Sequence, residues 1–405
     1  MFNNILVIGN GFDIAHGLPT KYSHFLLFSK LINDCYKYRD SSCEIKERLR
    51  LFEIDNKDMV GKIYIPVERL LKDKIDIVEH FNNLLYDKGG NLWLDYFMYY
   101  MKRQKEIYNT DYFWVDIEEA ISQVIYKLTN MSSKEWFDFF NSKNKLAIIS
   151  IILNFNRKYD TNVNNADEEV YNYRIEGSKI NYYNRLYTDF NNFIEAFEIY
   201  LSEFIVWENI KPIDNLFNNL RFGNIVNFNY TDTYSKLYGT VNNIDFIHGA
   251  CRSYAELNNR SSNIVLGIDE FLPSERRNRE LDLIDYRKYY QRIIKHTDNI
   301  YISTVLNKTD FIEVYFYGHS MSVTDIEILI NLLPHAKNKY SGEDFRSENA
   351  VRKATIFYYN ASALKSIVLN LVKILGQNSL IELTSGPGAR IVFKQCDEAV
   401  NYTEF

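Results

Sequence analysis

At 405 residues the chain is longer than one small core requires, so its length predicts either one large domain with an insertion or two domains. Its formal net charge of −6 is spread along the chain, which argues against a dominant nucleic-acid surface. No apolar run reaches the length of a membrane span, and no basic signal-peptide region precedes the first strand. We therefore expect a cytoplasmic protein with neither a membrane nor a nucleic acid as its partner.

The four cysteines show no metal-ligand spacing. They form no C-x-x-C pair, and Cys35 and Cys43 have no histidine at a ligand interval. We therefore expect free thiols in a reducing compartment and no bound metal.

The first strand and the turn after it form the most informative stretch. Ile5 to Ile8 are consecutive aliphatic residues, a pattern typical of a parallel strand buried on both faces. Gly9-Asn10-Gly11-Phe12-Asp13 follows, and a helix that begins near Phe12 would direct its free N–H groups at an anion. The third glycine of the usual dinucleotide motif is missing. By itself the stretch therefore fits a tight turn without a ligand as well as it fits a dinucleotide loop.

Between this turn and Trp207 the apolar residues recur at intervals of three and four, which predicts helices rather than strands. The predicted helices are Tyr22–Tyr38, Val67–Tyr86, Leu92–Tyr108, Trp114–Leu128 and Tyr182–Trp207. The polar stretch from Asp160 to Ser178 is typical of an exposed loop. We predict a helical insertion domain over residues 31–208.

Short β-prone segments return after Gly223 and alternate with helical segments. This alternation predicts right-handed crossovers and a parallel sheet with helices on both faces. The predicted strands are 224–228, 244–247, 264–268, 312–317, 354–359 and 390–393, and the predicted helices are 231–237, 281–295, 325–333 and 361–375. The predicted fold class is α/β, with a Rossmann-like parallel sheet formed by residues 1–30 and 209–405 and interrupted by the helical insertion.

Polar or glycine residues follow most of the predicted strands. In open parallel sheets ligands bind beyond the carboxyl ends of the strands, so these residues are candidates for one pocket. They are Gly9 to Asp13, Asn229 to Asp232, His248 and Gly249, Gly267 and Asp269, Gly318 to Val323, and Asn360. A single residue of this kind is usually a cap or a turn, but several at one sheet edge favour a site.

These motifs carry two resemblances. The opening I-G-N-G-F-D…G-L-P-T-x-Y, the stretch Trp114 to Glu118 and the F-N-Y-T-D and I-H-G segments resemble the bacterial AbiH family of phage abortive-infection proteins over essentially the whole chain. The order of the motifs is also similar to that of sirtuin-like NAD-binding domains. The matching positions are Gly9 to Asp13 with Gly17 to Pro19, Phe228 to Thr231, His248 and Gly249, Gly318 to Val323, and Asn360.

The sirtuin-like resemblance implies that Asn229 orients nicotinamide or the attacking water and that His248 lies beside the nicotinamide ribose. It implies that Ser320 and Asn360 contact the adenosine half of NAD. The chain departs from the sirtuin-like pattern at Asn10 and Asp13, where the family has Ala and Ser. The Asp of the family's N-x-D motif is replaced by Thr231, and this chain has Asp232 one residue later. The zinc-ribbon cysteines are missing, so the resemblance implies NAD hydrolysis, as in sirtuin-like domains of bacterial defence proteins, rather than deacylation.

The predicted site follows from these matches. The predicted catalytic residues are His248, Asn229 and Asp232, and the predicted cofactor-binding residues are Gly9, Asn10, Gly11, Phe12, Asp13, Pro19, Gly249, Gly318, Ser320 and Asn360. Cleavage of the nicotinamide–ribose bond passes through an oxocarbenium-like state. His248 would accept a proton from a ribose hydroxyl or from water. The carboxylates of Asp13, Asp232 and Asp269 are candidates to stabilise the cation, and the Gly9–Gly11 turn would hold the diphosphate.

Each of these residues also has a purely structural interpretation. His248 fits a strand-end histidine that is bonded to a backbone carbonyl, and Asn229 fits a helix cap. Asp13 fits the first turn of a helix, where its charge complements the dipole. If Asp13 instead lies in the pocket, we expect it to face ribose or a backbone amide, because it would repel a phosphate.

Three functions remain open at this point. The first is an anti-phage effector that hydrolyses NAD to ADP-ribose and nicotinamide, with a phage-derived trigger. The second is a module that senses NAD or ADP-ribose without turnover. The third is a nuclease that uses Asp13, Asp232 and Asp269 with a divalent metal. The abundant aromatic residues of the helices are explained by core packing, and an interface between copies of the chain is the alternative.

Overall fold

The computed structural model describes residues 4–55, 67–108, 116–136, 179–207, 210–213, 217, 220–241, 243–257, 261–268, 281–301, 312–334 and 351–396. The predicted loop at Asp160–Ser178, the residues Trp114 and Val115 and the candidate Asp269 lie outside this description. The chain divides into two compact units. The sheet unit comprises Met1–Leu18, Trp207–Cys251 and Lys295–Phe405, and the helical unit comprises Pro19–Val206 and Arg252–Ile294.

Within the described residues six parallel strands form one sheet, so the predicted mixed α/β class with a parallel sheet is confirmed. The strands are β1 (Asn4–Ile8), β2 (Asn224–Asn227), β3 (Asn243–Phe246), β4 (Ile312–Tyr317), β5 (Val351–Tyr358) and β6 (Ile391–Gln395). Their order across the sheet is β3-β2-β1-β4-β5-β6. The central strand β1 therefore lies between β2 and β4, with Ile8 level with Asn227 on one side and Tyr317 on the other.

The unbroken apolar run of β1 explains its central position. Ile5 and Val7 belong to one hydrophobic core, whereas Leu6 and Ile8 belong to another, because alternate side chains of a strand point to opposite faces of the sheet. All four side chains are at most 1% exposed. A strand that contributes to two cores is protected from solvent on both faces, as the sequence predicts.

The helices, in chain order, are α1 (Asn10–Ala15), α2 (Tyr22–Lys37), α3 (Ser42–Asp55), α4 (Val67–Asp73), α5 (Ile75–Tyr86), α6 (Leu92–Tyr108), α7 (Ile117–Asn130), α8 (Lys179–Ile199), α9 (Thr233–Tyr238), α10 (Tyr254–Leu257), α11 (Lys288–Lys295), α12 (Ile326–Leu332), α13 (Ala361–Leu375) and α14 (Gln377–Thr384). Among the described residues, none of the helices is long and apolar enough to cross a membrane.

Helix α8 organises the helical unit through its aromatic stripe. Phe193 and Phe197 both pack edge-to-face against Phe25 of α2, and Phe190 packs against Trp93 of α6. The helix continues into a π-helical turn at Tyr200–Phe204. This is the helical stripe that the spacing of three and four predicts.

Two details of the predicted elements are wrong. Residues 264–268 form no strand, and only Ile268 makes an isolated bridge, to Arg287. The side-chain amide of Gln291 instead accepts from the N–H of Leu266 at 3.1 Å and donates to its carbonyl at 2.6 Å, which satisfies the backbone without a neighbouring strand. The segment Val67–Tyr86 is two helices rather than one. Residues 252–294 group with the helical unit, and the predicted bounds of the two domains stay a prediction.

Candidate functional site

The carboxyl edge of the sheet brings most of the predicted site residues together. Strands β3, β2, β1 and β4 are neighbours and run in one direction, so the segments that follow them meet at the same edge. These segments carry His248 and Gly249 after β3, Asn229 after β2, Gly9 to Asp13 after β1, and Gly318 to Ser320 after β4. Strands β2 and β3 lie on one side of β1, and β4, β5 and β6 lie on the other. The direction in which strands are added to the sheet therefore changes between β1 and β4.

The glycines at this point are required by a close crossing of two backbones. The N–H of Gly11 donates to the carbonyl of Gly318 at 2.8 Å. A Cβ on Gly318 would lie 2.2 Å from the nitrogen of Phe12, and a Cβ on Gly11 would lie 2.7 Å from the Cα of Gly318. Gly318 also adopts a φ of 67°, in the left-handed region. The two turns therefore touch through their backbones, which only glycine permits.

The same crossing uses the N–H groups that the sequence assigns to a diphosphate. Gly11 donates to Gly318, and the N–H of Phe12 donates to the carbonyl of Gly9 at 2.8 Å. The ring of Phe12 is fully buried in the core beside Tyr317. A ligand at this loop would have to use atoms other than these two N–H groups.

Asp13 is turned towards two threonines. Its carboxylate accepts from the hydroxyl of Thr231 at 2.5 Å and from the hydroxyl of Thr233 at 2.6 Å, and the residue is 1% exposed. The hydroxyl groups of these two threonines are partners of Asp13 that the sequence did not predict. This carboxylate joins the loop after β1 to the loop after β2.

Asn229 and Asp232 have different structural roles. The side-chain amide of Asn229 donates to the carbonyl of Gly9 at 3.0 Å, and its own N–H donates to Oδ1 of Asn227 at 2.8 Å. Asp232 is the residue that caps α9, since its side chain accepts from the N–H of Ser235 at 3.4 Å. The helix-cap interpretation of Asn229 is therefore wrong, and the cap lies three residues later.

His248, His319 and Asp325 form a buried cluster at this edge. Nε2 of His248 lies 3.2 Å from Oδ1 of Asp325, and Nε2 of His319 lies 3.7 Å from Oδ2 of the same carboxylate. Their exposed fractions are 6%, 6% and 8% in the order His248, His319, Asp325. The ring of Phe228 packs edge-on against both imidazoles. One carboxylate therefore faces two histidines that come from different strand ends.

The backbone fixes the tautomer of His319. Its Nδ1 accepts from the N–H of Met321 at 3.0 Å, so this nitrogen carries a lone pair and the proton is on Nε2, which faces Asp325. Met321 holds a φ of 55° and is fully buried. The turn after β4 thus places the Nε2–H side of His319 next to the carboxylate, 3.7 Å from Oδ2.

The remaining predicted binding residues lie in different settings. Asn360 is exposed and caps α13, with its Oδ1 accepting from the N–H of Ala363 at 2.8 Å. Ser320 is exposed, and its carbonyl accepts from Asn370 at 3.1 Å. Asn10 is partly buried, and Gly249 holds a φ of 82° at the turn after β3. Pro19 belongs to the helical unit, where its carbonyl accepts from the hydroxyl of Tyr200 at 2.8 Å.

Sequence reasoning missed Asp325 and Thr233. Ser322-Val323-Thr324-Asp325 follows a strand and precedes an apolar helix, so the sequence indicates a helix start there. The contact of Asp325 with His248 depends on the fold and is not visible in the sequence. Asp116, which was one of the acidic residues after Trp114, caps α7, and Glu118 lies 2.8 Å from Lys288. Among the described residues, no group of three or more His, Cys, Asp or Glu side chains is placed to hold a metal ion.

The fold and the edge cluster define an α/β protein in which a His–Asp–His cluster and a crossing of two glycine turns occupy the carboxyl edge of a parallel sheet. The chain belongs to the bacteriophage abortive infection AbiH family, whose model matches residues 5–342. The resemblance to this family is therefore confirmed, and it gives the protein a role in phage abortive infection. No curated protein and no solved structure matches the chain.

Proposed function

We propose that this protein is an abortive-infection effector that hydrolyses NAD to ADP-ribose and nicotinamide. The strand order 3-2-1-4-5-6 is that of doubly wound dinucleotide-binding sheets, in which the ligand lies at the point where the order reverses. On this proposal the sheet unit is a Rossmann-like domain of the sirtuin-like type. NAD from the cytoplasm binds across the ends of β1 and β4.

The observation that carries the proposal is the pairing of His248 with Asp325 at that edge. A histidine whose ring is held by a carboxylate is a common general base, because the carboxylate orients the imidazole and stabilises its charged form. Water adds to the anomeric carbon, the glycosidic bond to nicotinamide breaks, and one proton is released. His248 takes the proton from water or from a ribose hydroxyl, and the nearby carboxylate charge favours the cationic transition state.

The experiment is an assay of nicotinamide release from NAD by the purified protein, with and without lysate from phage-infected cells as the source of a trigger. Wild type should release nicotinamide, and His248→Ala should release none. His296→Asn is the matched control, since His296 is an exposed histidine of the sheet unit and Asn tolerates its φ of 53°. Equal nicotinamide release by wild type and His248→Ala would contradict the proposal.

A binding module without turnover is the second candidate. It is favoured by the hydrogen bonds of the first loop, because the amide of Asn229 and the N–H groups of Gly11 and Phe12 already have partners within the protein. Tight binding of NAD or ADP-ribose in calorimetry, with no nicotinamide released under any condition, would select this candidate.

The nuclease candidate is the weakest. Both carboxylate oxygens of Asp13 accept from threonine hydroxyls, and Asp232 caps a helix, so neither is arranged as a ligand for a divalent ion. Loss of activity in EDTA and its recovery with Mg²⁺ or Mn²⁺ would favour the nuclease over NAD hydrolysis, which needs no metal in this scheme.

A further inference from the structure

We infer that Asp325 is the positioning residue of the site and that it makes Nδ1, rather than Nε2, the basic atom of His248. The kinetic part of this inference rests on the proposed NAD hydrolysis, whereas the tautomer part does not. The inference starts from the one carboxylate that two histidines share.

The first step is the proton on His319. Because its Nδ1 accepts from the N–H of Met321, the neutral ring has its proton on Nε2 and directs it at Oδ2 of Asp325. If Nδ1 of His319 were protonated, its N–H and the backbone N–H of Met321 would face each other as two donors at 3.0 Å. The Nε2–H of His319 therefore lies on the side of the carboxylate, 3.7 Å from Oδ2, and Nδ1 of His319 is not available as a base.

The second step is the proton on His248. With Oδ2 facing His319, Oδ1 of Asp325 faces Nε2 of His248 at 3.2 Å. A buried carboxylate oxygen favours a proton on the nearest ring nitrogen, so the neutral ring carries its hydrogen on Nε2. The lone pair is then on Nδ1, and no described residue donates a hydrogen bond to that atom.

The third step follows from the burial of the cluster. His248 and Asp325 are both more than nine-tenths buried, and the ring of Phe228 fixes the imidazole edge-on. The ring is held in place, so the position of Nδ1 is set before any substrate binds. Nδ1 is consequently the atom that takes the proton from water or from the ribose hydroxyl.

The substitution Asp325→Asn should move the proton of His248 from Nε2 to Nδ1. The Nε2–H of His319, 3.7 Å from Oδ2 of Asp325, would favour the amide oxygen of Asn on its side, which leaves the amide NH₂ facing Nε2 of His248. His248 would then accept at Nε2 and carry its proton on Nδ1. The substitution thus removes the base from Nδ1 without removing the histidine.

The test combines nitrogen-15 NMR with kinetics on the full chain. Long-range spectra of ¹⁵N-histidine protein, with the seven rings assigned by single substitutions, should show the Nε2–H tautomer for His248 and His319 in wild type. In Asp325→Asn, His248 should change to the Nδ1–H tautomer while His319 stays unchanged. Asp298→Asn, which removes one exposed carboxylate of the same unit, should change neither ring.

In the nicotinamide assay, Asp325→Asn should lower kcat roughly 100-fold with KM nearly unchanged, because orientation of the base acts in the transition state. Asp325→Glu should recover part of that loss, since it restores the charge. An Nδ1–H tautomer at His248 in wild type, an unchanged tautomer in Asp325→Asn, or a kcat equal to that of wild type would each overturn the inference.

The wild-type spectrum decides the tautomer even if Asp325→Asn does not fold. A wild type that releases no nicotinamide but shows the expected tautomers would refute the proposed hydrolysis and leave the positioning role of Asp325 supported.

Discussion

Buried polar side chains at the sheet edge are paired with one another, and this pairing decides what each residue can do. Asp13 has two hydroxyl partners, and Asn229 has a carbonyl partner in the neighbouring loop. Burial of such groups is unfavourable unless hydrogen bonds replace those made to water. Residues that the sequence predicts to bind a ligand therefore connect the loops of the site through hydrogen bonds.

Asp13→Ala tests this role directly. It removes two charge-assisted hydrogen bonds, and only the weaker contact of 3.2 Å between the hydroxyl groups of Thr233 and Thr231 stays in their place, so the free energy of unfolding should fall by about 3 kcal/mol. Asp232→Ala, which removes only a helix cap, should lower it by about 1 kcal/mol. Urea unfolding measures both, and equal losses would contradict the structural role of Asp13.

His16 predicts a pH dependence of stability. Its Nδ1–H donates to the carbonyl of Phe12 at 2.6 Å, and its Nε2 accepts from the hydroxyl of Tyr238 at 2.7 Å, so the neutral ring fits the site. Burial lowers the pKa of His16 from its ordinary value of 6.5, outweighing the bond to Phe12. The unfolded chain therefore binds a proton before the folded chain does. The stabilisation is complete above pH 6.5 and is lost as the pH falls from there through the lowered pKa.

Thermal unfolding between pH 8 and about pH 5 checks this dependence. The difference in stability between wild type and His16→Gln should shrink as the pH falls, because Gln does not titrate. His296→Asn, a substitution of an exposed histidine, is the control for a general effect of histidine replacement. A constant difference between wild type and His16→Gln would refute the role of His16.

At the scale of elements, the turns after β1 and β4 leave almost no space for an added side chain at their glycines. Their backbones approach so closely that a Cβ on Gly9, Gly11 or Gly318 would lie within 3 Å of a neighbouring atom. The sequence shows the glycines but does not distinguish approach by a ligand from approach by another turn. Only the pairing of β1 with β4 shows that the neighbour is Gly318.

Gly318→Ala and Gly386→Ala form a matched pair for this contact. Both glycines have positive φ, but an added Cβ at Gly386 meets nothing within 4 Å. Gly386→Ala should therefore destabilise by about 1–2 kcal/mol, the backbone penalty alone. Gly318→Ala adds a clash with the nitrogen of Phe12 and should destabilise by more than about 4 kcal/mol. Similar losses of unfolding free energy would show that the crossing is not tight.

At the scale of the whole molecule, the sheet unit is assembled from three separate stretches of the chain. Strand β1 pairs with β2 and β4, which follow it by more than two hundred residues. Contacts of such long sequence separation form only after a large loop has closed. The edge of the sheet that carries the candidate site therefore exists only when all three stretches have come together.

Deletion of β1 and deletion of β6 should have unequal effects. Without Asn4–Ile8, β2 and β4 both lose a neighbour and both cores lose side chains, so cooperative unfolding of the sheet unit should disappear. A chain that ends at Arg390 loses the edge strand β6 and the residues after it, keeps the central strands, and should keep a cooperative transition at lower denaturant. Hydrogen exchange of β2 amides distinguishes the two deletions. Retained protection of β2 without β1 would contradict the central role of that strand.

The sequence alone determined the class of the fold, because apolar runs and helical spacing are local patterns. It placed β1, β2, β3 and β4 and the residues after them, and it carried the likeness to the family that the chain belongs to. It failed at 264–268, where a β-prone run has its backbone bonded by the side chain of Gln291. It also missed Asp325, since nothing local to that residue reveals a histidine more than seventy positions earlier.

Only the tertiary structure decided how the residues of the opening loop are used. From sequence, Gly9 to Asp13 fitted a ligand loop and a tight turn equally well, because both require glycine. In the folded chain Gly11 meets Gly318 and Asp13 meets two threonines, while His248 and His319 share Asp325. Hydrogen bonds and ion pairs depend on distances of a few ångströms between strand ends. Those distances are set by strand order and register, which no local sequence pattern encodes.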